Sequence, residues 1–178
     1  AAIYGASVTL RRRDVEVSDD DRDRLLGVIA HESDRLARIV NEILVADHLD
    51  SGRLRMTATG LDPVKTATEV VNAARVVAPE SVAIELEAAA DMPAVTADRE
   101  HLRQVLVNLL DNAVKYSPDG GRVIVRIEDR GPSVRFSVSD EGIGIPSNQQ
   151  TRVFDKFYRL DPDLTRGVGG TGLGLYIC

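Results

Sequence analysis

The sequence offers little aromatic or sulfur chemistry. Its 178 residues include no tryptophan, four tyrosines, three phenylalanines and a single cysteine, Cys178, at the last position. A lone cysteine cannot form a disulfide within the chain, so a reducing compartment is expected. No apolar run approaches the roughly eighteen residues of a membrane-spanning helix, and no segment has a signal-peptide pattern. We therefore expect a cytoplasmic location with no membrane contact by these residues, even if a longer parent chain is membrane-anchored.

Positive charge is scarce as well. Lysine and arginine number 22 against 28 acidic residues, which gives a formal net charge of −6, and no long basic stripe offsets this balance. Nucleic-acid binding depends on a concentrated basic surface. The composition therefore excludes nucleic acid as a main partner, while the length suits one domain or a small domain with a helical attachment.

The first fifty residues predict two helices. Residues 1–13 contain helix formers with a short apolar stripe, and residues 14–18 form a connection. Ser18 is followed by three aspartates, and these side chains favour the positive end of a helix. Because Gly27 is the only glycine that follows and proline is absent, the second helix is expected to continue to about Asp50.

A narrow apolar stripe runs along this second helix with the period of a coiled coil, although Ser33 and Asp47 interrupt it. Two helices cannot enclose a core, so we predict a hairpin that pairs with a second copy into a four-helix bundle, which makes the protein a homodimer. The alternative is that the helix lies on its own globular domain. The stripe consists of Leu26, Ile29, Leu36, Val40 and Ile43.

The rest of the chain mixes helices and strands. Asp62 and Pro63 have the pattern of a helix cap and first turn, and Asp98 or Thr96 is placed to cap a central helix. The order of elements predicts an α/β sandwich, with one sheet and helices on one face. Helices are predicted over 63–78 and 101–118 and from Gly172 onward, strands near 82–86, 92–95, 123–127 and 134–138, and loop with a short helix over 143–157.

One face of the central helix is polar. Asn108, Asn112 and Lys115 are four and three residues apart, so they project within roughly a 100° arc. Amide oxygens are acceptable Mg²⁺ ligands, and Mg²⁺ usually shares itself with nucleotide phosphates. This face therefore suits a phosphate and a hard metal ion, and taken alone it equally fits a solvated helix face.

Two glycine-rich segments follow. Residues 140–145 leave a strand as DEGIGI, in which Gly142 and Gly144 allow close backbone approach to a ligand. Residues 167–174 lead into a helix start, where bare backbone N–H groups form an anion site. Each segment alone has an ordinary alternative, an Asp–Gly turn for the first and a flexible surface loop for the second.

These segments carry a resemblance to a known family. Residues 108–118, NLLDNAVKYSP, resemble the asparagine box of sensor histidine kinases. Residues 140–145 and 170–175 are similar to the two glycine boxes of that family, and 154–159, FDKFYR, to its phenylalanine box. The motifs occur in the family's order and the resemblance covers nearly the whole chain, so the sequence is identified as a member of this family.

The resemblance implies a site for ATP and Mg²⁺. It implies that Asn112 binds the metal, that Lys115 and Tyr116 meet the phosphates and flank the adenine and ribose, and that Asp140 accepts a hydrogen bond from the adenine amino group. Arg159 is a candidate contact of the γ-phosphate. The other implied ATP-binding residues are Asn108, Gly142, Gly144, Ile145, Gly170, Thr171, Gly172, Leu173 and Gly174.

The resemblance also implies a lid over the nucleotide at residues 160–171, with Phe154 and Phe157 anchoring it to the core.

Position 108 separates kinases from related hydrolases such as DNA gyrase and heat-shock chaperones. Those enzymes carry a glutamate there as general base. An asparagine cannot accept a proton, and phosphoryl transfer to a protein side chain needs no such base. Asn108 therefore favours a kinase.

The implied organisation is a dimerisation and phosphotransfer hairpin over 1–52 and an ATP-binding catalytic domain over 53–178, an α+β chain. The implied reaction is phosphorylation of a histidine, followed by transfer to an aspartate in the receiver domain of a response regulator. The family's acceptor box is expected before Ala1 and the rest of the ATP-binding domain after Cys178, so no catalytic residue is assigned and the chain alone is not expected to phosphorylate itself.

None of the three histidines fits the acceptor box. His31 is followed by Glu32 and Arg35 but lacks the proline of that box. Two alternatives remain. The chain could be a nucleotide-responsive dimerisation module without catalysis, which an upstream acceptor box would discriminate. A related serine kinase of the anti-sigma type is disfavoured by the long helical hairpin.

Overall fold

The computed structural model describes residues 2–12, 17–89, 91–160 and 170–178. The chain divides into two compact units, Ala1–His48 and Leu49–Cys178. Among the described residues, no helix is both long enough and apolar enough to span a membrane.

Two helices, as predicted, make up the first part of the chain. Helix α1 spans Ala2–Arg11 and α2 spans Asp19–Asp50. The Ser18 hydroxyl accepts a hydrogen bond from Asp21 N at 3.1 Å and donates one to the Asp21 carboxylate at 2.7 Å. This reciprocal pair satisfies an N–H group that the first turn leaves without a helical partner, which fixes the start of α2.

Four of the five residues of the stripe on α2 are exposed, and Ile29 is half-buried. Leu36 is 56% exposed and Val40 49% exposed, and Leu26 and Ile43 are similarly open. Apolar side chains repeated along one helix face and left half exposed are typical of a surface that associates with another helix.

The second unit contains the strands and two long helices. Its elements are β1 Thr59–Leu61, α3 Pro63–Val77, β2 Val82–Ala88, β3 Val95–Ala97, α4 Arg99–Lys115, β4 Gly121–Asp129, β5 Val134–Asp140, a 3₁₀ turn Arg152–Phe154 and α5 Gly174–Ile177.

These strands form two sheets, so the prediction of a single sheet is wrong. Strands β2, β4 and β5 make a mixed sheet in the order β2-β4-β5, with β2 parallel to β4 and β4 antiparallel to β5. Strands β1 and β3 pair antiparallel in a separate ribbon. The sequence did not indicate β1, and β3 lies later than predicted. Three-residue strands are too short to show an alternating pattern and form only because they pair with each other.

The core lies between the mixed sheet and helices α3 and α4, which cover one of its faces. This confirms an α+β unit with helices on one face of a mixed sheet. On the opposite face Glu87 and Arg126 form an exposed ion pair at 2.7 Å. The core residues are Ala67, Val70, Val71, Val82, Ile84, Leu106, Leu110, Ala113, Val123, Val125 and Ile127.

Aspartate caps start both long helices. Asp62 Oδ1 accepts from Val64 N at 2.9 Å and from Lys65 N at 3.0 Å, as the sequence predicted. Asp98, rather than Thr96, caps α4 through Glu100 N and His101 N. Its second oxygen accepts from Thr57 N at 2.7 Å. The hydrogen bonds from Thr57 and His101 lower the pKa of Asp98 from 3.8 to about 2.

Candidate functional site

Helix α4 brings its polar face against the second glycine segment. Asn108 is buried, with 6% of its surface exposed, while Asn112 and Lys115 are half-buried. A Cβ atom at Gly174 would lie 3.8 Å from Asn108 Cγ and 4.0 Å from Asn112 Nδ2. The side-chain amides of Asn108 and Asn112 therefore lie together, and the second glycine segment lies beside them.

Asn108 is bonded within the protein at both ends of its amide. Its Nδ2 donates to the Gly174 carbonyl oxygen at 3.0 Å, and its Oδ1 accepts from Gln104 Nε2 at 2.9 Å. Sequence reasoning did not single out Gln104, although it lies one turn before Asn108 on the same face.

Lys115 lies against Gly170, the first described residue of the same glycine segment. A Cβ atom at Gly170 would stand only 2.7 Å from Lys115 Nζ, and this ammonium lies 5.4 Å from the centre of the Tyr116 ring. Any side chain at position 170 would displace the cation. The fold thus brings Lys115, Tyr116 and Gly170 together.

The first glycine segment packs on the C-terminal end of α4. Ile143 N donates to the Tyr116 carbonyl oxygen at 3.0 Å, and a Cβ atom at Gly142 would lie 2.2 Å from that oxygen. Only glycine fits there. Gly142 N also donates to Asp140 Oδ1 at 3.0 Å, so one oxygen of this exposed carboxylate is held by the turn. Its other oxygen has no hydrogen-bond partner among the described residues.

The neighbouring carboxylate of Glu141 is bonded to Arg122 on strand β4. Its carboxylate accepts from Arg122 N at 3.0 Å and from the Arg122 guanidinium at 3.1 and 3.3 Å. These bonds from Arg122 lower the pKa of Glu141. Sequence reasoning missed this pair, because it depends on the antiparallel register that places Val123 opposite Asp140.

The second glycine segment is fastened at its centre. The Gly172 carbonyl accepts from Phe157 N at 3.0 Å, and a Cβ atom on Gly172, whose φ is 73°, would come within 2.7 Å of the Phe157 backbone. Thr171 Oγ1 accepts from Leu173 N at 3.2 Å, and the Leu173 side chain is fully buried. Leu173 therefore anchors the segment in the core.

The phenylalanine segment differs from expectation. Phe154 and Phe157 are 55% and 59% exposed, so the prediction that they anchor the lid to the core is wrong. The 3₁₀ turn Arg152–Phe154 instead buries Val153, and Phe157 adopts a left-handed φ of 61°. In a turn this tight, adjacent side chains face different directions, and the smaller valine takes the buried place.

The remaining predicted residues are not brought to the polar face of α4 by any described contact. Gly144 has a φ of 68° with open space at its Cβ position. Ile145 is exposed, and its carbonyl accepts from Gln150. Arg159 is exposed as well. The expected lid over 160–171 lies for the most part outside the described residues.

The carboxylate of Asp50, which the sequence did not single out, makes further contacts within the second unit. Asp50 accepts hydrogen bonds from Lys156 Nζ at 2.5 Å and from the Tyr176 hydroxyl. The Lys156 contact is the main cause of the lowered pKa of Asp50, and the Asp50 contact raises the pKa of Tyr176. Asp50 thereby links the residues before position 160 to those after position 170.

The candidate site offers the Lys115 ammonium, which can bind an anion, and the Asp140 carboxylate, which can accept a hydrogen bond from an amine. Among the described residues, no group of three or more histidine, cysteine, aspartate or glutamate side chains is placed to hold a metal ion. A metal at Asn112 would have to share its coordination with a bound phosphate and water, which is the usual arrangement for Mg²⁺.

Comparison with known proteins shows the family of this chain. Residues 97–178 match the family described as histidine kinase-, DNA gyrase B- and HSP90-like ATPase. The chain is 35% identical to sensor histidine kinase WalK of Bacillus subtilis over 164 residues, which is 89% of this chain and 26% of WalK. It thus spans about a quarter of that relative.

Solved structures of histidine kinases are similar to this chain as well. Full-length ShkA in complex with AMPPNP superposes with a TM-score of 0.72 at 26% identity, over 92% of this chain and 34% of ShkA. The mycobacterial sensor histidine kinase MprB is 30% identical, with a TM-score of 0.57 over 68% of this chain and 75% of the MprB chain. With motifs, fold and relatives in agreement, the chain belongs to the sensor histidine kinase family.

Proposed function

We propose that this chain binds ATP with Mg²⁺ and acts as the ATP-binding catalytic part of a kinase that phosphorylates a histidine and passes the phosphoryl group to a response-regulator aspartate. One observation carries the proposal. Both glycine segments converge on helix α4, where Gly142 meets the Tyr116 carbonyl, Gly170 meets Lys115, and Gly174 meets both asparagines.

Each end of a nucleotide has a matching group in this arrangement. Asp140 keeps one carboxylate oxygen unpaired among the described residues, and that oxygen can accept from the adenine amino group, whereas guanine would present a carbonyl. Lys115 supplies positive charge for the phosphates, and Asn112 an amide oxygen for Mg²⁺. The proposed site also includes Tyr116, Gly144, Ile145, Arg159, Gly170, Thr171, Gly172, Leu173 and Gly174.

Bound Mg²⁺ would neutralise phosphate charge during transfer. The residues of this chain supply positioning rather than water activation. The Asn108 amide cannot take a proton, and its oxygen already accepts from Gln104. This favours transfer to a protein side chain over hydrolysis.

We also propose that residues 1–52 form a helical hairpin that dimerises into a four-helix bundle, with the catalytic domain over 53–178. The half-exposed stripe on α2 supports this proposal. A shallow apolar groove along the same helix is suited to a neighbouring helix. Its lining residues are Ser33, Leu36, Ala37, Val40, Asn41 and Leu44.

Calorimetry with ADP, GDP and Mg²⁺ tests the nucleotide assignment. We expect ADP to bind, binding to be lost in Asp140→Ala, and affinity to weaken in Asn112→Ala. Ser139→Ala is the matched control, because it changes an exposed neighbour of Asp140 on the same strand. Equal affinity for GDP and ADP would exclude the role given to Asp140.

We propose that none of the three histidines is the phosphoryl acceptor. His31 and His48 are exposed along α2, and His101 Nδ1 lies 3.0 Å from Asp98 Oδ1 beside the α4 cap. Incubation with γ-labelled ATP and Mg²⁺ should leave no acid-labile label on His31. Label that disappears in His31→Gln but persists in His48→Gln would contradict this proposal.

A further inference from the structure

A chain of two buried or half-buried amides links α4 to the second glycine segment. Gln104 Nε2 donates to Asn108 Oδ1 at 2.9 Å, and Asn108 Nδ2 donates to the Gly174 carbonyl at 3.0 Å. Asn108 is only 6% exposed, so water cannot readily replace these partners. Gln104 lies outside every motif of the sequence.

The chemistry of the groups fixes their orientation. A backbone carbonyl oxygen can only accept, so the Asn108 atom that faces Gly174 must be the Nδ2 donor. The Oδ1 acceptor then faces Gln104, which must present its own Nε2. The Asn108 amide donates at one end and accepts at the other, whereas an ionised carboxylate at position 108 would set two acceptors against each other at 3.0 Å.

We propose that Gln104 and Asn108 are positioning residues, which form an amide relay that holds residues 170–174 over Lys115 at the spacing that the nucleotide phosphates require. This inference rests on the proposed nucleotide site. In it Asn108 acts through Gly174 and is not itself a ligand of the nucleotide or the metal. The relay also excludes a general-base carboxylate at position 108, because such a group could not donate to Gly174.

The other attachments of the segment explain why the relay matters. Leu173 is anchored by burial, and the Gly172 carbonyl is bonded to Phe157 N, so both hold the segment to the core and to the residues before it. The bond from Asn108 to Gly174 is a polar link from the segment to α4, the helix that also carries Lys115. Loss of this link changes the distance between the segment and the ammonium without unfolding the core.

The experiment compares Asn108→Asp and Gln104→Glu with Arg103→Ala, a matched control on the exposed side of the same helix. Gln104→Glu is the milder change, since it removes one donor and keeps the side-chain length. Calorimetry with Mg²⁺ measures the affinities for ADP and adenosine. Hydrogen exchange of residues 170–178 in the ligand-free chain and thermal unfolding are measured in parallel.

We expect both relay variants to weaken ADP binding about tenfold or more, the size of one buried hydrogen bond left unmade. Adenosine affinity should stay within about twofold, because only the phosphates meet the displaced segment, and exchange of residues 170–178 should accelerate. Arg103→Ala should change none of these quantities.

Three results would overturn the relay. Equal loss of ADP and adenosine affinity would indicate a generally loosened fold. Loss in Asn108→Asp alone, with Gln104→Glu and the exchange rates unchanged, would make Asn108 a direct ligand. Unaltered exchange in both variants would show that the amides do not hold the segment. If the wild-type chain binds neither ligand, the proposed nucleotide site fails, and the exchange rates alone decide the relay.

Discussion

Gly142 is the position at which the structure allows the sharpest prediction. A Cβ atom there would lie 2.2 Å from the Tyr116 carbonyl oxygen, 2.8 Å from Asp140 Oδ1 and 2.9 Å from Ser117 Oγ. The first of these is a backbone atom and cannot rotate away. In Gly142→Ala the turn must therefore move by about 1 Å to reach ordinary contact distance.

That movement breaks two hydrogen bonds, from Ile143 N to the Tyr116 carbonyl and from Gly142 N to Asp140 Oδ1, each 3.0 Å long. At about 1 kcal/mol each, the loss of these bonds removes about 2 kcal/mol of the interactions that hold Asp140 in place. A nucleotide that requires this position of Asp140 should then bind about thirtyfold more weakly.

Calorimetry with ADP and Mg²⁺ measures the effect, and thermal unfolding establishes that the variant is folded. Gly60→Ala is the matched control, because its Cβ atom would meet nothing within 4 Å. ADP binding to a folded Gly142→Ala variant at wild-type strength would refute the steric argument, and with it the placement of Asp140 at the base.

Further predictions concern stability and assembly. Asp62→Ala removes the cap that holds Val64 N and Lys65 N and should lower the free energy of unfolding by about 1 kcal/mol in denaturant titration, with Asp62→Asn restoring most of it. Because the pKa of Asp98 is lowered from 3.8 to about 2 in the folded chain, its stabilising contribution is present above pH 4 and lost as the pH falls toward 2. The melting temperature should therefore fall less steeply over this pH range in Asp98→Asn than in the wild type. Parallel curves of melting temperature against pH would contradict the stabilising role given to the Asp98 carboxylate. Leu36→Asp places a charge on the exposed stripe of α2 and should turn a sedimenting dimer into a monomer with unchanged ADP affinity, whereas a dimeric variant would locate the interface elsewhere.

Most of the individual elements could be predicted because their signals are local. The bounds of α2 follow from Ser18, the three aspartates after it, and the absence of proline and of any glycine except Gly27 before Ser51. Asp62 followed by Pro63 predicted the start of α3, and the apolar spacing after them predicted its end to within one residue. Caps, prolines and periodicity act within one or two turns of a helix or along one strand, so the sequence displays them directly.

Other features depend on partners that are distant in the sequence. The ribbon of β1 and β3 forms because residues 59–61 meet 95–97. The anchor of Asp50 to Lys156 and Tyr176 joins three separate segments. Phe154 and Phe157 match a motif by composition, but the surrounding fold decides that they are exposed while Val153 is buried.

The candidate site divides in the same way. The motifs alone predict which side chains form a nucleotide site, and that assignment stays a prediction, whereas helical spacing predicted that Asn108, Asn112 and Lys115 share a face. Only the tertiary structure decided that Asn108 is already bonded to Gln104 and Gly174, that Gly170 lies against Lys115, and that Gly142 closes on Tyr116. Residue type and spacing determine what chemistry is available, because they are written along the chain. Which atoms remain open to a ligand depends on contacts across many residues, because hydrogen bonds and steric limits between segments exist only after the chain has folded.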